Sequence, residues 1–182
     1  MMSGHVYKTF KTRDGRRAVL RALRFEDLDD LLECINSLVE EGADIIMEEK
    51  QARGEEAEWL AKKLVSQEEG KEIFVAAEVD GKIIANSSIE RFTARSEAHK
   101  GMLGIAVRSG YRDLGIGTEM IEVLIEEARK AGLRLILLDV FETNKRARHV
   151  YEKIGFTEVG RVPKGIFRNG KYIDEARMAL EL

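Results

Sequence analysis

The fold of this chain is decided by the stretch Gly104-Ile105-Ala106-Val107 and by the turn after it, Arg112-Asp113-Leu114-Gly115-Ile116-Gly117-Thr118. The first segment ends an apolar strand pattern, and the turn leads directly into an amphipathic helix pattern. Glycines at 115 and 117 let the main chain approach a ligand closely, because no Cβ stands in the way. The free amides of a helix's first turn, together with the helix dipole, attract anions. The turn therefore predicts a diphosphate site, to which Arg112 can add a charged contact.

A Gly-x-Gly turn before a helix is a weak signal by itself, because any tight connection from a strand to a helix can carry it. The turn is not a Walker A loop, since no Gly-Lys-Ser/Thr follows it. It is also shorter than the dinucleotide pattern Gly-x-Gly-x-x-Gly, and no parallel strand–helix–strand unit begins the chain. The residues around the turn must therefore decide its role.

The segment downstream of this helix carries a second pattern, Asn144-x-x-Ala147-x-x-x-Tyr151-x-x-x-Gly155-Phe156. Asn144 is suited to cap a helix, and Gly155 is suited to end it. The apolar spacing between them predicts one buried helix face that includes Tyr151.

The remaining patterns predict an α+β domain with helices packed on a mostly antiparallel sheet. Asp80-Gly81 and Asn169-Gly170 predict hairpin turns. The near-continuous apolar run at 133–140 predicts a strand buried on both faces. The start of the chain, around His5, is expected to be mobile. Predicted strands cover 17–22, 73–79, 82–89, 100–107, 133–140, 156–162 and 172–180, and predicted helices cover 27–39, 55–65, 115–131 and 144–154.

Composition excludes several classes of protein. With 182 residues, 44% hydrophobic and 35% charged, the chain is expected to form one globular domain over 1–182. A net charge of −3 argues against a nucleic-acid binder. The longest apolar runs are too short to span a bilayer and the start lacks a signal-peptide pattern, so a cytoplasmic protein with no membrane partner is expected.

Cysteine, histidine and acidic residues give no sign of a metal site. Cys34 is the only cysteine, so neither an intrachain disulfide nor a cysteine-based metal site is expected. No cluster of His, Cys and carboxylates suggests another kind of metal site. An acidic group is interpreted as a solvated helix face, or alternatively as a rim that attracts a cationic amine. Its members are Glu48, Glu49, Glu55, Glu56 and Glu58.

The two motifs together closely resemble the GNAT superfamily of N-acetyltransferases, over roughly Phe74 to Leu180. The resemblance implies the acyl-CoA N-acyltransferase fold, with helices on both sheet faces, a coenzyme-binding core at about 100–156, and acetyl-CoA as co-substrate. It implies that the backbone of Ile105, Ala106 and Val107 pairs with the pantetheine arm and that amides from Asp113 to Thr118 hold the diphosphate. Asn144 is expected to contact the pantetheine. Relatives often have glycine and a basic residue at Asp113-Leu114, so the Asp113 side chain is expected to point away.

Transfer of an acetyl group to an amine also needs an oxyanion donor, an acid and a base. The resemblance implies that a backbone amide of Gly104–Val107 stabilises the oxyanion and that Tyr151 protonates the leaving thiolate. Candidate bases are ranked Asp139, then Glu90, then Glu142. Asp139 takes the position of a glutamate base in N-terminal acetyltransferases of ribosomal proteins, but it is one methylene shorter.

The sequence thus predicts an N-acetyltransferase of the EC 2.3.1 type that acts on a primary amine. The acceptor is expected to be a small amine, an amino acid or a protein N-terminus. A non-catalytic acyl-CoA-binding sensor or complex subunit is the alternative, and it would need neither acid nor base. The closing hairpin around 165–174 is expected to shape the acceptor pocket and to offer an edge for a homodimer.

Overall fold

The computed structural model of the chain describes residues 4–182. Eight strands form one sheet in the order β1-β2-β3-β4-β5-β6-β8-β7. The strands are β1 (Val6–Lys11), β2 (Arg17–Arg21), β3 (Glu72–Val79), β4 (Lys82–Arg91), β5 (Lys100–Val107), β6 (Leu135–Phe141), β7 (Thr157–Arg168) and β8 (Lys171–Glu181). The helices are α1 (Leu28–Glu40), α2 (Arg53–Glu68), α3 (Ile116–Lys130) and α4 (Lys145–Ile154), with one 3-10 turn at Phe25–Asp27 before α1.

Only one neighbouring pair of strands in this sheet is parallel. β5 and β6 run in the same direction, and all other paired strands are antiparallel. The parallel pair follows from the connection, because a crossover helix, here α3, returns the chain to the starting end of the sheet. The predicted α+β class and mostly antiparallel sheet are confirmed.

Each sheet face is covered by a different pair of helices. Apolar residues of α3, such as Met120 and Leu124, form one core with Tyr151 of α4 and with alternate strand residues. On the opposite face, Leu31 of α1 and Leu60 of α2 pack with Phe74 of β3. Strand alternation explains this division, because successive side chains point to opposite faces. Within residues 4–182, no helix has the length and apolar character that a membrane span requires.

The two predicted hairpin turns are confirmed. Both residues of Asp80-Gly81 and of Asn169-Gly170 have positive φ, as two-residue hairpin turns of this type require. The segment 42–54 is irregular except for the first turn of α2, which begins at Arg53. Cys34 is buried, and its Sγ lies 3.8 Å from the Ile84 carbonyl oxygen.

Other predictions about the strands were wrong. The segment around His5 leads directly into β1, an edge strand whose half-exposed residues leave little hydrophobic pattern. β7 continues past Pro163 through an irregularity between Val162 and Ile166, and proline is tolerated there because β7 is an edge strand. In β6, buried and half-buried residues alternate, so this strand is not buried on both faces.

Candidate active site

A wedge-shaped opening separates the parallel strands β5 and β6. These strands pair only at their beginnings, where residues 100–102 face residues 135–137. β5 nevertheless pairs with β4 all along residues 101–107. In the described structure, the backbone groups of 103–107 that point toward β6 therefore have no strand partner. Such an open edge can pair with an extended ligand, and Ile105, Ala106 and Val107 lie along it.

The turn at the open end of β5 presents a run of free main-chain amides. Among residues 4–182, none of the amides of residues 112–118 donates a hydrogen bond to another protein group, and the first helical bond runs from the Glu119 amide to Gly115. Gly115 has φ +88° at the N-terminus of α3, a left-handed conformation that glycine adopts without strain. These amides and the positive end of the helix dipole form an anion site.

The carbonyl groups of the same turn are held from the other side by the β1–β2 hairpin. The Arg13 amide donates to the Leu114 carbonyl at 3.1 Å, and Arg13 Nη1 donates to the Asp113 carbonyl at 3.1 Å. Since the carbonyl oxygens are bound there, the turn is fixed with its amides available. No pattern in the sequence indicates this contribution from Arg13.

The charged side chains of the turn form contacts of their own. Arg112 Nε donates to the Val107 carbonyl at 2.8 Å, and its guanidinium also pairs with Glu41. These contacts tie the turn to the end of β5 and to α1, and a contact between Arg112 and a phosphate stays a prediction. The Asp113 side chain is largely exposed and pairs with Arg146 at 3.0 Å, which links the turn to the start of α4.

Asn144 caps α4, and Tyr151 lies within that helix. Asn144 Oδ1 accepts a hydrogen bond from the Ala147 amide at 3.1 Å, which confirms the predicted cap. The Asn144 Nδ2 group donates to nothing among residues 4–182. Tyr151 is buried beside Phe156, with 5.9 Å between ring centroids.

Burial also determines the protonation state of Tyr151. It raises the pKa of the Tyr151 phenol to about 12, because the charged form loses its hydration. Within the described residues, the phenol oxygen has no hydrogen-bond partner. The group is therefore a neutral proton donor at physiological pH.

Asp139, the base ranked first from the sequence, forms an ion pair. Strand register places Asp139 opposite Arg177 of β8, and both carboxylate oxygens accept from that guanidinium at 2.7 Å. Asp139 lies on the sheet face that carries α1 and α2, since Leu138 and Val140 on either side of it point into the α3 core. A proton transfer to Asp139 would have to weaken this pair, and its role as base stays a prediction.

The other two predicted bases are solvated. Glu90 is registered with Met102, and Met102 with Leu137, so Glu90 lies on the same sheet face as Asp139. The Glu90 side chain, however, is 69% exposed, and its carboxylate lies 3.8 Å from Lys63 Nζ. Glu142 is 43% exposed and 3.4 Å from Arg161. Neither carboxylate is enclosed in a cleft.

One acidic residue departs from the sequence interpretation. The sequence predicts a solvated helix face for Glu56, but this residue is only 7% exposed. It precedes Leu60 and Leu64 by one and two helical turns, and this spacing was the signal that could have placed it on the inner face of α2. Among residues 4–182, no group of three or more His, Cys, Asp or Glu side chains could hold a metal ion.

Comparison with known proteins gives the family. Residues 33–156 match the family model described as the acetyltransferase (GNAT) family. The uncharacterized N-acetyltransferase MJ1207 of Methanocaldococcus jannaschii is 33% identical over 176 residues, which are 92% of this chain and 70% of that protein. The L-amino acid N-acetyltransferase AaaT of Escherichia coli is 32% identical over 103 residues, which are 56% of this chain and 63% of that one. A solved acetyltransferase of the GNAT family from Streptococcus pneumoniae superposes with a TM-score of 0.81 at 26% identity, covering 91% of this chain and 99% of that chain.

Proposed function

Since this chain belongs to the acetyltransferase (GNAT) family and is an acetyl-CoA-dependent N-acetyltransferase, we propose that it acetylates the primary amine of a free L-amino acid or a similarly small acceptor. The observation that carries the coenzyme part of the proposal is the run of free amides at 112–118, directly after the open edge of β5. The acetyl group passes straight from the coenzyme sulfur to the amine nitrogen. The name of AaaT, which specifies L-amino acids, supports this class of acceptor.

Acetyl-CoA is proposed to lie with its diphosphate on the amides of residues 112–118 and its pantetheine arm along Ile105, Ala106 and Val107. The main chain offers these groups whatever the side chains at Asp113 and Leu114 are, so the departure from the common motif leaves the contacts available. Asn144 Nδ2 is free to donate to the arm, because the Asn144 oxygen alone serves as the helix cap.

Two groups are proposed to act at the thioester. A backbone amide on the open edge of β5 donates to the carbonyl oxygen as it becomes an oxyanion, a contact worth about 3 kcal/mol in comparable sites. Tyr151 gives its phenol proton to the departing thiolate, and such donation contributes about 10²- to 10⁴-fold in rate. Tyr151 is buried beside Phe156, and its phenol has no hydrogen-bond partner among residues 4–182, so the phenol is available for this role.

The acceptor is proposed to enter from the face that carries α1 and α2. The loop at 41–52 is fastened to the end of β7, because Arg168 Nη1 donates to the carbonyls of Ala43 at 2.5 Å and Ile45 at 3.4 Å. The Arg168 side chain is only 10% exposed and lies 3.8 Å from Glu48. A fastened loop favours a small, defined pocket over an open groove for a protein chain.

A homodimer is proposed to form through β7. This strand is the last in the sheet, and it exposes Val159, Val162 and Phe167, with Tyr172 of β8 beside them. An unpaired edge with apolar side chains favours pairing with a second copy. Light scattering on a size-exclusion column should give twice the chain mass, and Phe167→Glu should reduce it. A wild-type monomer at all concentrations would contradict the dimer.

The function is tested with purified protein, acetyl-CoA and a panel of amines, with release of free thiol as the readout. The panel holds free L-amino acids, polyamines and peptides with a free N-terminus. Turnover is expected on one or more L-amino acids. Turnover on peptides alone would reassign the acceptor to a protein N-terminus. Coenzyme binding without any turnover would instead favour a non-catalytic acyl-CoA-binding module.

A further inference from the structure

Glu56 is a buried carboxylate without a partner. Glu56 is 7% exposed, and in the described part of the chain its carboxylate takes part in no hydrogen bond or ion pair. Its oxygens are also not among the buried polar atoms that are sealed off from solvent, so the carboxylate reaches an accessible space. An unpaired buried carboxylate costs stability, and a residue that costs stability without a structural return is a candidate for function.

Two contacts of neighbouring residues on α2 relate Glu56 to the sheet. Lys63, two helical turns further along α2, binds Glu72 at 2.8 Å and lies 3.8 Å from Glu90, near the end of β4. Residues seven apart on a helix share a face and are separated by about 10 Å. Nearer to Glu56, Leu60 of the same helix face packs with Phe74 of β3, and the register partner of Phe74 on β4 is Ser88.

The same face of the sheet adjoins the opening between β5 and β6. Asn86 and Ser88 share the sheet face of Glu90 and are half-buried, and their partners on β5 are Ala106 and Gly104. Gly104 is exposed, and it belongs to the edge on which the thioester is proposed to lie. Glu56 lies on the inner face of α2, the helix that packs on this same side of the sheet.

We propose that Glu56 is the catalytic base, which takes the proton from the ammonium group of the acceptor. This inference rests on the proposed function. The ammonium gives one proton to the carboxylate and becomes a neutral amine, whose nitrogen attacks the thioester carbon. As the carbon–sulfur bond breaks, the sulfur takes a proton from Tyr151. The nitrogen releases its second proton, which restores the phenol, and Glu56 returns its own proton to solvent.

The electrostatic surroundings suit this role. Burial raises the pKa of Glu56 above its ordinary value of 4.5, which brings a carboxylate closer to the optimum for a base at neutral pH. The charged groups of the neighbouring elements are paired with one another: Arg108 with Glu33 at 2.6 Å, Arg112 with Glu41, and Lys63 with Glu72 at 2.8 Å. Burial raises the pKa of the Cys34 thiol to about 11, so Cys34 stays neutral and does not compete for the proton.

The test compares Glu56→Gln with Glu58→Gln, a matched change at an exposed position of the same helix. For Glu56→Gln we expect kcat/KM for the amine to fall about 10²- to 10⁴-fold at neutral pH. The dissociation constant for acetyl-CoA should stay within about twofold, since the diphosphate contacts are untouched. Activity should recover above about pH 9, where solution supplies the neutral amine. Glu58→Gln should behave as wild type throughout.

Each outcome decides between two ideas. Normal turnover by Glu56→Gln at neutral pH, or an equal loss in Glu58→Gln, would overturn the base assignment and leave the proposed function intact. A wild-type protein that binds acetyl-CoA but acetylates no amine in the panel would overturn both. A structural role for Glu56 would show as a lower melting temperature for Glu56→Gln and no recovery of activity at high pH.

Discussion

The guanidinium of Arg177 donates to both carboxylate oxygens of Asp139, at 2.7 Å each. The pair lies across neighbouring strands, since Asp139 of β6 is registered with Arg177 of β8. Asp139 raises the pKa of Arg177, so the pair is held by charge as well as by geometry. A carboxylate in this arrangement is better suited to fix β6 beside the opening than to collect a proton.

This relationship predicts a modest effect of Asp139→Asn on catalysis. We expect a loss of less than about tenfold in kcat/KM, with the acidic limb of the pH profile unchanged, because the titrating base is elsewhere. Rate profiles from pH titration of wild type, Asp139→Asn and Glu56→Gln check this. If the acidic limb vanished in Asp139→Asn and persisted in Glu56→Gln, Asp139 would be the base, as the sequence had favoured.

Gly117 is predicted to be needed for the ligand and not for the fold. A Cβ on Gly117 would meet Ile105 at 3.6 Å and Val107 at 3.8 Å, which are ordinary contact distances. Gly117→Val should therefore fold, while its side chain takes up space beside Ile105 and Val107, along which the pantetheine arm is proposed to lie. Titration calorimetry should show acetyl-CoA binding weakened by at least about tenfold, or about 1.4 kcal/mol.

The control for this change is Gly160→Ala on the exposed strand β7, where an added Cβ would meet nothing within 4 Å. Gly115→Ala provides a contrast, because φ +88° at Gly115 makes an alanine there strained, by about 1–2 kcal/mol. If Gly117→Val and the wild type bound the coenzyme with equal affinity, the diphosphate would not bind at this turn.

Tyr151→Phe is predicted to separate chemistry from binding. The phenol has no hydrogen-bond partner among residues 4–182, so its loss should leave the free energy of unfolding within about 0.5 kcal/mol of wild type. We expect kcat to fall about 10²-fold or more, with the acetyl-CoA dissociation constant unchanged. Single-turnover thiol release, measured beside equilibrium binding, distinguishes the two effects. Wild-type kcat in Tyr151→Phe would reassign proton delivery to water.

Much of this fold could be predicted because strong periodicity reports burial. The Gly-x-Gly turn, the α3 pattern and the Asn144 cap each follow from local chemistry that no distant contact alters. β1 could not be predicted, because an edge strand with solvent on most of its residues carries no apolar alternation. The extension of β7 past Pro163 was missed for a related reason, since only tertiary context makes proline acceptable there.

The site was predictable for main-chain groups and not for the carboxylates. Backbone amides are offered wherever the turn forms, so residues 112–118 could be found from spacing alone. The environment of a carboxylate depends on residues far away in sequence. Asp139 is paired with Arg177 of another strand, whereas the Glu56 carboxylate is buried without a partner among the described residues. Sequence gives the residue type at such positions but not its environment.

A buried ion pair far from the opening yields a stability prediction. Arg21 binds both oxygens of Asp27, at 2.7 Å and 2.8 Å, and both side chains are 4% exposed. Asp27→Ala would leave the Arg21 charge buried beside Glu78 alone, which should cost about 3–5 kcal/mol in the free energy of unfolding. Urea unfolding measures this. The exposed pair of Arg53 with Asp29 is the control, and Asp29→Ala should lower the free energy of unfolding far less. Similar losses of unfolding free energy in both variants would contradict the role of burial.

The pH dependence of stability gives a last prediction, which is independent of any acceptor. Burial raises the pKa of Glu56 above 4.5, so the folded protein binds this proton more tightly than the unfolded chain does. The protonated group therefore contributes its full stability below pH 4.5, the ordinary pKa. This contribution is lost as the pH rises through the higher pKa that Glu56 has in the folded protein. Glu56→Gln lacks this titration, so its melting temperature should match that of wild type near about pH 4 and exceed it near about pH 7. Calorimetric scans of both proteins and of Glu58→Gln check this, and a variant that melts below wild type at neutral pH would mean that the charged carboxylate has a stabilising partner.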